Sequence, residues 1–144
     1  MRFLLDTNAF SEPTRPQPDP GLMRWLEAAS DDDLFLSVLT LGELRRGILK
    51  LPQGARRGRL DAAYRQLFTE YADRILDVDA PVAEVWAEVT LRDLAAGRPT
   101  DAVDELLAAT ALLHGLTVVT RNVRDFESTG CAVLSPLAWM TPAP

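Results

Sequence analysis

Four acidic residues lie at positions from which a folded α/β chain could bring their carboxylates together. Asp6 directly follows a short apolar run, and Asp125 lies in a polar turn after a β-branched run. Glu43 and Asp104 lie within segments whose apolar spacing predicts helices. Acids at the carboxyl ends of buried parallel strands lie where open α/β sheets bind their ligands. The four residues therefore predict a site built from carboxylates.

Asp104 gives the strongest of these indications, whereas Asp6 has a plainer alternative. Asp104, Leu107 and Ala111 recur at helical spacing, so the carboxylate lies on an apolar face, with no cation three or four residues away. A carboxylate in such a place needs a partner from elsewhere in the fold. Asp6 could instead cap a helical turn that begins at Asn8, and both roles stay open for it.

Glu43 and Asp125 also have ordinary alternatives. Arg46, three residues after Glu43, could form an exposed ion pair worth roughly tenths of a kcal/mol. The small Gly47 would instead leave this face of the helix open, so that Glu43 points into a cleft above the sheet. Asp125 could be a turn acid, and Asn122 in the same turn is an equally placed oxygen ligand.

The types of ligand available narrow the chemistry. Carboxylate and amide oxygens favour Mg²⁺ or Mn²⁺ rather than zinc. The single Cys131 and the single His114 cannot supply a nitrogen and sulfur site. A divalent ion held by carboxylates activates water and neutralises phosphate charge. Hydrolysis of a phosphodiester is the reaction class that these residues favour.

Length and composition predict one soluble domain over residues 1–144, with a proline-containing tail over 135–144. The 144 residues are 47% hydrophobic and 25% charged, and every apolar run is broken before it could span a membrane. The net charge of −6 argues against non-specific coating of nucleic acid. The single cysteine excludes an internal disulfide and is typical of a reducing compartment, so we expect a cytoplasmic protein.

Segments with strand patterns and helix patterns alternate along the chain. The predicted strands are residues 2–5, 34–37, 75–78, 117–120 and 132–134. The predicted helices are residues 8–12, 21–29, 40–51, 57–74, 81–96 and a last one that Thr100 or Asp101 caps and His114 ends. Residues 13–20 are expected to form an extended loop, and Phe68 to face inward. The alternation predicts an α/β fold with a central parallel sheet covered on both faces.

Two other classes of acid-cluster protein are disfavoured by the residues present. Response-regulator receivers and haloacid-dehalogenase phosphatases also place an aspartate after the first strand, and both use a lysine near the phosphoryl group. Lys50, the only lysine, lies at the end of a predicted helix. Asn8 stands where the phosphatase motif has its second aspartate. Both interpretations therefore fail.

The whole set of motifs resembles the PIN-domain ribonucleases, specifically the VapC toxins of type II toxin–antitoxin pairs and their FitB-like branch. Each motif alone is weak, but four in the right order over nearly the whole chain are specific. The matching segments are residues 4–8 with Ser11 and Glu12, residues 40–44 with Gly47, Asp104 with residues 108–111, and residues 120–122 with Asp125 and Phe126.

This resemblance implies a three-layer α/β/α PIN fold and a Mg²⁺-dependent endoribonuclease, with Mn²⁺ as a substitute. It also implies homodimers and a VapB-type antitoxin whose C-terminal segment blocks the site and through which the complex binds operator DNA. By motif position, Asp6, Glu43 and Asp104 take the three core acid roles. FitB-like chains carry an acid at the place of Asn122, whereas many VapC toxins have an asparagine there and an acid at the place of Asp125.

These observations give one hypothesis and two alternatives. We expect Asp6 and Asp104 to hold Mg²⁺, Glu43 to bind it or orient the attacking water, and Asn122 or Asp125 to complete the site. The candidate contacts for RNA phosphates are Arg121, Arg45 and Arg46. A catalytically silent module that captures an arginine-bearing antitoxin tail in the same pocket is the alternative from another class. A deoxyribonuclease is the second alternative.

Overall fold

The computed structural model describes residues 1–98 and 101–140, so the predicted cap at Thr100 lies outside the described residues. The strands are β1 Phe3–Leu5, β2 Leu34–Ser37, β3 Ile75–Leu76, β4 Thr117–Val119 and β5 Val133–Leu134. The helices are α1 Thr7–Phe10, α2 Pro20–Ala28, α3 Val38–Leu49, α4 Ala55–Glu70, α5 Ala80–Ala95 and α6 Ala102–His114. Short 3-10 turns cover Glu12–Thr14, Asp31–Asp33 and Val123–Phe126.

All five strands described are parallel, and they form one sheet in the order β3-β2-β1-β4-β5. In the centre, Leu4 of β1 pairs with Phe35 of β2 on one side and with Val118 of β4 on the other. The chain therefore leaves β1 toward one edge and returns to fill the other edge. The boundary between β1 and β4 is a topological switch point, where such sheets open a crevice at their carboxyl ends.

The alternation of side chains along the central strands assigns each face of the sheet to its own core. Leu4 and Val118 pack on one face with residues of α5 and α6. Leu5 and Val119 point to the opposite face, where they pack with Ala9 of α1 and with residues of α2. Since both faces are buried under helices, the strands read as continuous apolar runs. The predicted α/β/α fold with a central parallel sheet is confirmed.

Several element ends differ from those predicted. The expected loop over 13–20 is partly wrong, because Glu12–Thr14 forms a 3-10 turn and Pro20 is already the first residue of α2, capped by Asp19. The prediction that Phe68 faces inward is also wrong, since it is 49% exposed. Helix α4 packs against α3, and Leu67 is the one residue along it that is buried.

The last helix and its neighbours agree better with the sequence. Asp101 caps α6 through a bond from the Val103 amide to its carboxylate (2.8 Å), and Gly115 ends the helix at φ 65°. That left-handed conformation favours glycine, as the sequence predicted. None of the helices in the described ranges is long and apolar enough to cross a membrane.

Candidate active site

Asp6 lies at the carboxyl end of β1, within the switch-point crevice, and is only 7% exposed. Its backbone amide bonds to the Val119 carbonyl, so the residue is tied to β4 (2.9 Å). One carboxylate oxygen accepts the amide of Thr7 (2.7 Å), which makes Asp6 the N-cap of α1. The other oxygen accepts the buried hydroxyl of Thr120 (2.9 Å). The capping role is confirmed, and it leaves lone pairs of both oxygens available for a cation.

Glu43 lies beside Asp6 because Thr7 contacts both acids. The Thr7 hydroxyl donates to one oxygen of Glu43 at 2.7 Å, while its amide binds Asp6. The other oxygen of Glu43 is 3.9 Å from the guanidinium of Arg46, a side chain that is 69% exposed. Both alternatives drawn from the sequence are therefore present, a weak exposed ion pair and a carboxylate turned toward the crevice.

The carboxylates share one pocket of about 420 Å³. In the described part of the chain, no arginine, lysine or histidine lines this pocket. The lining residues are Asp6, Thr7, Asn8, Ser11, Glu43, Asp101, Val103, Asp104, Asn122 and Asp125. The structure thus brings together every acid and amide that the sequence proposed as a ligand. Whether Asn122 or Asp125 completes the site stays a prediction, since both lie on the turn after β4 and face the same pocket.

The electrostatics of this pocket fit a cation. Burial, followed by the negative charges of Asp6, Asp101, Asp125 and Glu43, raises the pKa of Asp104 from its ordinary 3.8 to about 7. Burial also raises the pKa of Asp6, although its bonds from Thr120 and Thr7 oppose that rise. Among the described residues, no three acidic, histidine or cysteine side chains already form a metal cage. An all-oxygen donor set that repels itself nevertheless suits a hard divalent ion.

We expect Asp104→Asn to stabilise the metal-free protein at neutral pH. The folded state holds the Asp104 proton more tightly than the unfolded chain, so stability is full below about pH 4 and falls as pH rises toward 7. An asparagine at position 104 does not ionise, so the variant does not lose this stability as the pH rises. Allowing for solvent screening at this half-buried group, the gain is about 1 kcal/mol, or roughly 3–5 °C in Tm. Thermal unfolding in EDTA at pH 4 and 7.5 measures it, and an equal Tm difference at both pH values would contradict the assignment.

Thr120 and Glu12 belong to the surroundings of the site, but the sequence analysis gave neither a role. Thr120 is fully buried, and its hydroxyl donates to Asp6 while it accepts the amide of Asn122 (3.1 Å). Glu12 is also fully buried. A threonine at the end of a β-branched run looks like a strand residue, and a glutamate between a serine and a proline looks like a turn. The signal available in the sequence was that both residues lie within the segments that match the PIN-domain ribonucleases.

The three arginines predicted to contact RNA have different surroundings. Arg121 bonds both carboxylate oxygens of buried Glu12, each at 2.7 Å. Arg45 forms an ion pair with Asp61 of α4. Arg46 is largely exposed beside Glu43. Each of the three guanidinium groups therefore has a carboxylate partner within the chain, and the pair formed by Arg46 is the longest and most exposed.

A larger cavity of about 750 Å³ adjoins the acid pocket between α1, α3 and α4. It shares Thr7, Ser11 and Glu43 with that pocket. The rest of its lining is mainly apolar, with two exposed arginines at its rim. These further lining residues include Phe10, Pro13, Leu44, Ile48, Leu60, Ala63, Leu67, Arg56 and Arg59. An apolar cavity next to a polar site is typical of a binding groove.

Comparison with known proteins agrees with this geometry. The family model of the PIN domain matches residues 3–130. This chain belongs to the PIN domain family. It is 39% identical to toxin FitB of Neisseria gonorrhoeae and 37% identical to plasmid stability protein StbB of Pseudomonas syringae, in each case over 93% of this chain and 97% of the relative. It is 32% identical to VapC ribonuclease Y4jK of Sinorhizobium fredii, over 93% of this chain and 96% of the relative.

Solved structures of PIN domain proteins show the same fold. A structure of FitAB bound to an IR36 DNA fragment superposes with a TM-score of 0.91 at 35% identity, covering 98% of this chain and 99% of that one. The crystal structure of FitAcB from Neisseria gonorrhoeae gives a TM-score of 0.88 at 38% identity, covering 93% and 97%. The resemblance to PIN-domain toxins of the VapC and FitB kind, predicted from the four motifs, is confirmed.

Proposed function

We propose that this PIN domain protein, taken as one domain over residues 1–144, is a Mg²⁺-dependent endoribonuclease and the toxin of a VapBC-type toxin–antitoxin pair. The observation that carries the proposal is the pocket at the switch point of the sheet, where Asp6, Glu43, Asp104 and Asp125 meet with no cationic side chain among the described residues that line it. Relatives that bear the names VapC ribonuclease and toxin FitB support the activity and the toxin role. Such an enzyme would meet RNA in the cytoplasm.

The residues of the pocket divide the proposed work between them. Asp6 and Asp104 would hold the ion through carboxylate oxygens, with Asn122 or Asp125 completing the oxygen set, and Mn²⁺ would substitute for Mg²⁺. The ion supplies a water of lowered pKa and neutralises phosphate charge. Glu43, fixed by the Thr7 hydroxyl, would orient the attacking water and accept its proton. Arg46, which is largely exposed at the edge of the pocket, would contact an RNA phosphate.

The experiment for this function incubates the purified protein with matched RNA and DNA oligonucleotides and compares how far each is cleaved. We expect internal cleavage of the RNA in Mg²⁺ and none of the DNA, read by denaturing gel and mass spectrometry of the products. Equal cleavage of both strands would indicate a deoxyribonuclease or a general nuclease. Cleavage of neither strand, combined with tight binding of an antitoxin, would favour a catalytically silent binding module.

The partner we propose is a VapB-type antitoxin that covers the apolar cavity and reaches the acid pocket. The support is the mainly apolar lining, its continuity with the site through Thr7 and Glu43, and the FitAB and VapBC complexes among the similar structures. The negative net charge of this chain fits contact with operator DNA only through such a partner. A homodimer of this chain is part of the same proposal.

Gly47→Leu is expected to weaken binding of that antitoxin at least tenfold. Gly47 lies on α3 and lines the cavity, and nothing lies within 4 Å of an added Cβ, so the new side chain fills the groove without disturbing the fold. Gly58→Leu on α4 is the matched control, since its surroundings are equally open and it does not line the cavity. Titration calorimetry with an antitoxin encoded beside this chain measures both. Wild-type affinity for Gly47→Leu would contradict the proposed binding surface.

A further inference from the structure

A buried ion pair lies next to the acid pocket. Glu12 has no exposed side-chain surface, and Arg121 is 23% exposed. The Arg121 guanidinium donates to both oxygens of Glu12 at 2.7 Å, and one of these oxygens also accepts the Asp19 amide (2.7 Å). Arg15 is an outlying second cation, 3.8 Å from Glu12 and half exposed. Burying charges is expensive, and pairs of this kind are often replaceable by apolar residues, so stability alone explains this one poorly.

Arg121 lies between two residues that belong to the acid pocket or bond to it. Its neighbours on either side are Thr120, which donates to Asp6, and Asn122, which lines the pocket. Its own backbone amide binds the side chain of Asn8, another lining residue (3.0 Å). The guanidinium nevertheless bonds Glu12 and is not part of the lining of the acid pocket. A free arginine at this place would find several unpaired carboxylates, whose repulsion an arginine would relieve as a metal ion does.

We propose that Glu12 is a positioning residue that keeps Arg121 out of the metal site. By accepting from one guanidinium nitrogen with both of its oxygens, Glu12 prevents Arg121 from competing with the divalent ion for Asp6 and its neighbours. This inference rests on the metal site of the proposed function. The sequence predicted that Arg121 contacts RNA phosphates. Under this inference its guanidinium is instead engaged in the ion pair with Glu12.

The test is the affinity of the metal-free protein for Mn²⁺ and Mg²⁺, measured by titration calorimetry for four proteins. In Glu12→Gln, the second oxygen becomes an NH₂ group that cannot accept a bond from Arg121, so we expect at least tenfold weaker ion binding. Adding Arg121→Gln to Glu12→Gln removes the competing cation and should restore the wild-type affinity within threefold. Adding Arg15→Gln instead is the matched control, and it should leave the affinity low.

The outcomes separate the role in positioning from a role in folding. If Glu12 only stabilised the fold, the double variant with Arg121→Gln would bind the ion no better than Glu12→Gln. That result would overturn the inference, and so would an unchanged ion affinity in Glu12→Gln. If Glu12→Gln does not fold by circular dichroism, Arg121→Lys tests the same idea. A lysine ammonium is more strongly hydrated and lies on a more flexible stem, so Glu12 should hold it less firmly than the guanidinium. We expect at least threefold weaker ion binding, and an unchanged affinity would overturn the inference. A wild-type protein that binds neither ion would refute the proposed metal site itself.

Discussion

Replacing Asp6 or Asp104 by asparagine is expected to lower kcat/KM for RNA cleavage in Mg²⁺ at least a hundredfold. Asparagine keeps the shape of the side chain and one oxygen but removes the negative charge that holds the ion. Losing a carboxylate ligand removes several kcal/mol of charge stabilisation, and about 1.4 kcal/mol corresponds to each factor of ten. Initial rates on a fluorogenic RNA, with each protein at matched concentration, measure the effect.

Asp79→Asn is the control for this pair. Asp79 caps α5 outside the pocket, with the Val82 amide bonded to its carboxylate (3.2 Å), and asparagine is an equally good cap. Its rate should stay within twofold of wild type. The opposite stability effect of Asp104→Asn adds a second check, since that variant should be less active and yet more stable without metal. Asp6→Asn and Asp104→Asn proteins that cleave at the wild-type rate would refute the assignment.

Thr120→Val is expected to lower kcat/KM by about ten- to a hundredfold, although it changes no proposed ligand. Valine has nearly the same shape, so the buried strand end still packs, but the bond to Asp6 and the acceptor for the Asn122 amide are lost. An unsatisfied buried polar group costs about 1–3 kcal/mol, and here the cost falls on groups that must hold the ion. The hydrogen bond from Thr120 lowers the pKa of Asp6, so its loss should raise that pKa further.

A serine at position 120 keeps the hydroxyl and should recover most of the rate. Thr117→Val at the other end of β4 serves as the matched substitution away from the site. We expect the pH–rate profile of Thr120→Val to shift upward, because a higher pH is then needed to ionise Asp6. A Thr120→Val protein with wild-type rate and an unshifted profile would show that the hydroxyl has no part in positioning Asp6.

The sequence contained enough to predict the sheet and the acids that meet at its edge. Period-two burial cannot be seen in Phe3–Leu5 itself, because both faces of a parallel sheet are covered, yet the alternation of strands and helices along the chain implied that cover. Asp6 and Asp125 were found because they follow strands. Asp104 was found because a carboxylate on an apolar helix face needs a partner. Local patterns and chain order sufficed for these residues.

The pairings that the sequence did not reveal all connect distant parts of the chain. Glu12 and Arg121 lie 109 residues apart, and Thr120 lies 114 residues from Asp6. The basic segment around Arg45 gave no sign of a carboxylate partner, but in the fold Asp61 of α4 forms an ion pair with it. Such contacts depend on which elements the fold brings together, and single-chain periodicity carries no information about them. Residues that orient ligands are therefore harder to predict than the ligands.

The most direct test of the account removes the metal and returns it. The purified protein is treated with EDTA, dialysed, and assayed on one RNA before and after addition of Mg²⁺, with Ca²⁺ and NaCl of equal ionic strength as controls. We predict no cleavage by the metal-free protein, recovery with Mg²⁺ or Mn²⁺, and no recovery in Asp6→Asn. RNA cleavage by the metal-free protein at the rate seen in Mg²⁺ would contradict the claim that these carboxylates act by holding a divalent ion.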